Sequence, residues 1–346
     1  MTKASVLQFP FKRWSPLTGL CVITLLFVAL LSFSGCTRST GKNDDVDANN
    51  ASSASTLRIV STAPSITEAL FAIGLGDCVI ARSDYCKYPE EAIYLPKIGS
   101  LYDYNLEAIA ELNPDFVVVL AENETLPAKL KSLGIECVTV NQSDFVGMLE
   151  SFEELGARAS RGVGERRVPE AEEVGRRLRQ ELQTRVDNLR ALTADLERPR
   201  TLISIYRTWG TGKIGEVYVA GQNPFFDYVL EIVGAENAAA SLPGVAPTVE
   251  AEGIVSLNPD VIVDLSTDGT EYSPEERQIR HNERVYDWQS LGAQVKAVEN
   301  ERIYTFFDDY ATIPGPRTIL FLEELALKLH PELEEIRGDK VETNVP

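Results

Sequence analysis

The tetrapeptide LNPD is written twice in this chain, at Leu112–Asp115 and at Leu257–Asp260. Each copy sits in a longer echo, NLEAIAELNPDFVVVL in the first half and TVEAEGIVSLNPDVIVDL in the second. In both, a glutamate (Glu107, Glu252) lies seven positions before the proline, and a β-branched run follows the aspartate. Asn-Pro ends a helix, because the residue before proline is pushed out of the α region. The apolar run after it suits a strand buried on both faces of a parallel sheet. One helix stop and one strand start per half predicts two α/β lobes of like topology, with a cleft between the ends of their sheets.

The rest of the chain alternates in the same way. In the first lobe, 57–160, LRIVST is a strand and PSITEALFAIGLG a helix, with Ser65 and Glu68 spaced as a capping box. CVIARSDY, DFVVVL and IECVTV are further strands, and Asn105 caps the helix LEAIAEL. Residues 166–198 break the rhythm. Val174, Leu178, Leu182, Val186, Leu189 and Leu192 mark one face of a long helix, with Pro169 in its first turn and Pro199 ending it. At about 1.5 Å per residue it extends roughly 40 Å, enough to join two lobes and to resist large hinge motion. The second lobe, 200–330, restarts with the strand RTLISIY and the helix NPFFDYVLEIVG, capped by Asn223. QSLGAQVKAV then parallels KSLGIECVTV of the first lobe, and 331–346 is a tail. The fold class is α/β: two lobes with mostly parallel central sheets joined by a single long backbone helix.

The N-terminus is a targeting signal. Lys12 and Arg13 precede an apolar run that ends at Ser34-Gly35-Cys36, shorter than the roughly 20 residues of a spanning helix. SFSGC resembles a bacterial lipobox, which implies a signal peptide over 1–36 with Cys36 lipidated; the other reading is an uncleaved anchor. Either way the bulk lies outside the cytoplasm, periplasmic or extracytoplasmic, and held to a membrane. Residues 37–56, almost purely polar, form a flexible tether. The formal charge is −19, and −22 once Lys3, Lys12 and Arg13 leave with the signal. Nucleic acid is thereby excluded as a partner, since phosphate binding needs the opposite sign.

Little in the chain suggests chemistry. Cys78, Cys86 and Cys137 would allow one disulfide, whose pairing the spacing leaves open; burial as small apolar side chains is the preferred reading. With two histidines, His281 and His330, a histidine-rich metal site is not expected, and no metal ligand or catalytic residue is assigned. Gly210, Gly212 and Gly215 spell G-x-G-x-x-G, but the β-branched EVYVAG that follows predicts a strand where a phosphate-binding helix must begin. A nucleotide enzyme is therefore rejected.

RIVSTAPSITEALFAIGLGDCVI, SDYCKYPEEA, LPKIG, NLEAIAELNPDFVVV and PGPRTILFLEELA together resemble the periplasmic-binding family for cobalamin and ferric siderophores, over roughly Arg58 to His330. DYCKYP and NLE resemble its cobalamin branch, although Leu101 and Leu120 stand where cobalamin binders carry tryptophans. The resemblance implies the substrate-binding lipoprotein of an ABC importer, a monomer without a cofactor of its own. Its ligand would be a corrinoid or ferric chelate, and its partner a permease dimer with ATPase subunits. Haem is the alternative ligand of the same fold, and a tethered sensor uncoupled from transport the alternative role. By the same resemblance Glu107 and Glu252 dock onto permease arginines, one per lobe, and Tyr85 packs against the ligand ring.

Open α/β sheets bind ligands at their strand ends. On that ground Tyr102, Tyr104, Tyr206, Arg207, Trp209 and Tyr310 join Tyr85 as candidate ligand-binding residues, with Asp308 and Asp309 beside them. Arg82, Arg207 and Lys213 are candidate partners for anionic groups, which a ferric siderophore would supply.

Overall fold

An arginine stands at the start of the first strand of each half, Arg58 just before it and Arg200 as its first residue, and the same bonds tie it to the LNPD of its own half. In the computed structural model, which describes residues 56–101, 103–267 and 270–334, the Arg58 and Arg200 amides donate to the Asp115 and Asp260 carboxylates, each at 2.9 Å. The Asp115 and Asp260 amides return bonds to the Arg58 and Arg200 carbonyls. The guanidinium groups reach back to the last helical carbonyls, Leu112 O at 2.6 Å and Leu257 O at 2.8 Å. Asn113 and Asn258 turn left-handed (φ 46° and 43°) to end their helices. Asparagine is among the few residues besides glycine that visit this region readily. The repeated string is thus a helix stop and a strand clamp in one.

The first lobe comprises β1 (Ile59–Ser61), α1 (Pro64–Ala72), β2 (Val79–Arg82), the hairpin β3 (Gly99–Ser100) and β4 (Asp103–Tyr104), α2 (Leu106–Glu111), β5 (Phe116–Leu120), α3 (Leu126–Ser132) and β6 (Cys137–Val140). Its sheet runs β2–β1–β5–β6, all parallel. Two helices follow, α4 (Phe145–Arg161) and α5 (Ala171–Thr193). The second lobe comprises β7 (Arg200–Arg207), β8 (Val217–Val219), α6 (Pro224–Ile232), β9 (Glu236–Asn237), β10 (Thr248–Val249), α7 (Ala251–Leu257), β11 (Val261–Leu265), α8 (Pro274–Gln289), α9 (Lys296–Glu299), β12 (Ile303–Phe306) and α10 (Thr318–Leu329). Here β9–β7–β11–β12 repeats the first sheet strand for strand, all parallel. The end of β7 additionally carries the antiparallel strands β8 and β10.

The bridge between the lobes is α5, which pairs with its neighbours through three arginines. Arg179 meets Glu153 of α4, Arg185 meets Glu323 of α10, and Arg190 meets Glu231 of α6. Helix α4 lies so close to α5 that a Cβ on Gly175 would strike the Phe152 carbonyl, and one on Gly156 the Ala171 carbonyl. One apolar core runs through both lobes, taking in Ile59, Val118, Phe152, Val186, Ile203 and Val263. Phe145 of α4 stacks on Tyr228 of α6 at 5.2 Å.

Several local expectations need correction. The linking helix starts at Ala171 and ends at Thr193, inside 166–198, with Pro169 ahead of its first residue. Leu192 is exposed on it, and Thr193 takes the buried place, donating to the Ile232 carbonyl at 2.9 Å. Ser65 and Glu68 form no capping box: α1 begins at Pro64 without a side-chain cap, and both residues are buried. After QSLG the chain forms the short helix α9 before it reaches β12, so the parallel with KSLG ends at the glycine. Helices α4 and α8 fall where no helix was expected; Asp144 caps the first and a Ser273/Glu276 capping box opens the second. The signal 1–36 with Cys36, the tether up to residue 55, Tyr102 and the tail beyond 334 lie outside the described residues.

Candidate ligand-binding site

Arg317 stands where the two lobes meet. It lies just before α10, and its guanidinium clamps the Glu68 carboxylate of α1 through Nε at 2.9 Å and Nη2 at 2.5 Å. It also reaches Asp309 at 2.8 Å and covers the Tyr88 ring with its guanidinium carbon 3.9 Å from the centroid. Glu68 and Tyr88 belong to the first lobe, Asp309 and Tyr310 to the second. Glu68 is buried, so this is an ion pair held largely out of water. Removal of Arg317 would strand the buried Glu68 carboxylate. Nearby, Arg277 grips Asp308 with two bonds of 2.6 and 2.7 Å and holds its carboxyl below the usual carboxylate range. Tyr310 rests between Asp308 and Glu324, and burial pushes its phenol pKa up.

The carboxyl ends of β7 and β11 surround a cavity of about 120 Å³, lined by Tyr206, Arg207, Trp209, Ser266, Thr267 and Arg284 among others. Arg207 is buried and bound to two carboxylates, Asp264 at 2.7 Å and Asp287 at 2.8 Å. It lines the cavity, but its charge is already met. The glycine string explains part of this network. Gly210 and Gly212 turn left-handed, and their amides donate to Asp287 at 2.8 and 2.7 Å. A loop shaped to receive an anion therefore holds one of the protein's own carboxylates.

The candidate residues divide into separate groups. Tyr206 and Trp209 share the cavity with Arg207, and Tyr310 belongs to the Arg317 junction. Tyr85, 64% exposed, projects from the loop after β2. Tyr104 is half-buried and donates to the Thr62 carbonyl at 3.0 Å, which holds its ring against the end of β1. Lys213 is exposed. Arg82 is not available to an anion: it is buried and donates to the carbonyls of Ser83, Asp84, Ala92 and Ile93. His281 faces the Thr305 hydroxyl at 3.1 Å and His330 the Val233 carbonyl at 2.8 Å. Cys78, Cys86 and Cys137 are free thiols, the first two buried. Glu107 and Glu252 are both exposed, each in the first turn of its helix, α2 and α7.

Sequence reasoning missed Glu68, Tyr88, Arg277, Arg284 and Arg317. Glu68 carried a signal that was misread as a cap, and Arg317 sits in the PGPRTIL string. Tyr88 sits in DYCKYP, and no local pattern marks the other two.

Two duplicated α/β lobes, a helical bridge and aromatic side chains at the strand ends define a two-lobed binding protein. The family model described as "Periplasmic binding protein" matches residues 59–310, and the chain belongs to that family. It is 30% identical over 282 residues to YvrC, an ABC transporter substrate-binding lipoprotein of Bacillus subtilis, across 80% of each chain. Among solved structures, the periplasmic vitamin B12-binding protein of Vibrio cholerae superposes with a TM-score of 0.64 at 23% identity, covering 80% of this chain and 97% of that one. The periplasmic haem-binding protein HutB of Vibrio cholerae gives 0.64 at 20% identity, covering 80% and 99%.

Proposed function

We propose that this protein is the substrate-binding lipoprotein of an ABC-type importer. It captures cobalamin or a ferric siderophore between its lobes and delivers it to a permease dimer served by ATPase subunits. One observation carries the reading: the duplication gives each lobe one exposed glutamate, Glu107 or Glu252, in the first turn of the matching helix. Paired carboxylates of this kind suit two arginine-bearing permease subunits, since charge-assisted contacts set register and orientation. Aromatic faces at the strand ends, Tyr85, Tyr206, Trp209 and Tyr310, suit a flat or greasy chelate, because they bury much area at little entropic cost. Lipidation at Cys36 would hold the protein to a membrane outside the cytoplasm. The role is binding rather than chemistry.

Haem is the second cargo to weigh, because the vitamin B12-binding and haem-binding structures match this fold equally well. Titration of the full-length protein with cyanocobalamin, haemin and ferric siderophores, followed by tryptophan quenching and calorimetry, tests the reading. Saturable binding of one class is expected, with Trp209 as reporter. Failure of all three to bind would overturn it.

A further inference from the structure

A strand-end loop from each lobe meets the other at one side chain. In the first lobe, the loop after β2 carries Tyr85 and Tyr88, 64% and 46% exposed. Its base is closed by Arg82, which donates to Ser83 and Asp84 at one end and to Ala92 and Ile93 at the other. In the second lobe, the loop after β12 carries Asp308, Asp309 and Tyr310, and Arg277 holds its start through Asp308. The Arg317 guanidinium reaches both loops. Its edge bonds Glu68 and Asp309, and its face covers Tyr88, with the Tyr310 ring centroid 5.9 Å away. The backbone beside it is seated closely: a Cβ on Gly315 would lie 3.2 Å from a Glu68 carboxylate oxygen. A planar guanidinium can bond along its edge and stack on its face at once, whereas an ammonium has no face to stack. Arg317 offers one positive charge to two carboxylates, so a change at Asp309 or Tyr88 leaves the buried Glu68 still paired.

We propose that Arg317 is a positioning residue for the binding cleft. One guanidinium holds the loop of each lobe, through Tyr88 in the first and Asp309 in the second, while buried Glu68 fixes the guanidinium itself. The two walls that carry Tyr85 and Tyr310 are thereby set against each other, rather than each by its own lobe alone. This rests on the ligand-binding reading above and deepens it: the shape of the site depends on a side chain that acts through its neighbours and not by touching the cargo.

Hydrogen exchange of the full-length protein in detergent, without ligand, reads the hub directly. Tyr88→Leu in the first lobe should speed exchange about threefold or more in the second, at the Ala311, Thr312 and Ile313 amides, which bond the Asp308 and Asp309 carbonyls. Asp309→Asn should do the same in the first lobe, at the Cys86 and Ala92 amides. Titration with cyanocobalamin, haemin and ferrioxamine B then reads the cleft. For whichever probe binds, Tyr88→Leu and Asp309→Asn should each weaken affinity roughly three- to tenfold, the size of one partly desolvated cation–π contact. Tyr88→Phe keeps the ring and should recover most of that loss. In an Arg317→Lys background, Tyr88→Leu should cost nothing further. Faster exchange confined to the mutated lobe would overturn the proposal. So would additive losses from Tyr88→Leu and Arg317→Lys, because a ring that touches the cargo directly acts independently of the arginine. If exchange responds across the lobes and none of the three probes binds, the hub stands and the carrier reading falls. A probe that binds every variant alike sinks the hub and leaves the carrier reading in place.

Discussion

Glu68 and Arg317 are 249 residues apart in sequence and form the tightest polar link between the lobes. Breaking a buried pair from one side costs about 3–5 kcal/mol when the partner is left charged without compensation, and toward the low end here, because Arg317 keeps Asp309 at 2.8 Å. Glu68→Leu should therefore lose about 3 kcal/mol in chemical denaturation, and the double variant with Arg317→Met should recover part of it, since Asp309 then loses its arginine. A single-variant loss under about 1 kcal/mol would show that the pair does not hold the lobes together. Asp308 makes a different test. Arg277 keeps its carboxyl ionised below the usual range, so in acid the unfolded chain takes up a proton that the folded chain refuses. The stability this contributes is present above the unfolded value, about 3.9, and is lost as pH falls through the lower folded value. Urea melts between about pH 2.5 and 6 should show a steeper acid loss for the wild type than for Asp308→Asn. Parallel curves would remove Asp308 from the account.

At the scale of elements, the pairing of α4 with α5 depends on two glycines. In an ordinary exposed helix, alanine for glycine stabilises by about 1 kcal/mol. At Gly175 the sign should reverse, because the new Cβ meets the Phe152 carbonyl and the two backbones must separate. Gly175→Ala should lower the melting temperature; a gain would mean that the helices are looser than they lie here. The elements also show what was legible beforehand. Helix α2 with its Asn105 cap, helix α6 with Asn223 and Pro224, and strands β5 and β11 follow from local pattern. Their apolar spacing and cap chemistry are complete within a few residues. The short helix α9 was hidden by the shared SLG, although AQVKAV is rich in helix formers where IECVTV is rich in β-branched residues. The Val295 amide bonds Gly292, and the Ala297 amide is taken by the Pro259 carbonyl of the distant LNPD turn.

For the whole molecule, the docking proposal requires both lobes to be engaged at once. Glu107→Ala with Glu252→Ala should abolish uptake in cells and leave ligand affinity unchanged. Lost affinity with normal uptake would place these residues in the binding site instead. Each glutamate lies on its own lobe, so their spacing is set by the parts between them. In those parts α5 is salt-bridged to α4, α6 and α10, and one apolar core passes through both halves.

The chain by itself determined the duplication, the alternation of strand and helix, and which segments are buried on both faces. Those properties depend on spacing and on contacts a few residues long, which a linear string records. Only the tertiary structure decided which charges are spent and which are free. Arg82, Arg207 and Arg284 look alike as letters. Folding gives the first four carbonyls, the second two carboxylates, and leaves one nitrogen of the third without an acceptor. The strength of a charge depends on what lies within a few ångströms of it in a medium of low dielectric, and for Arg207 those neighbours are 57 and 80 residues away in the chain.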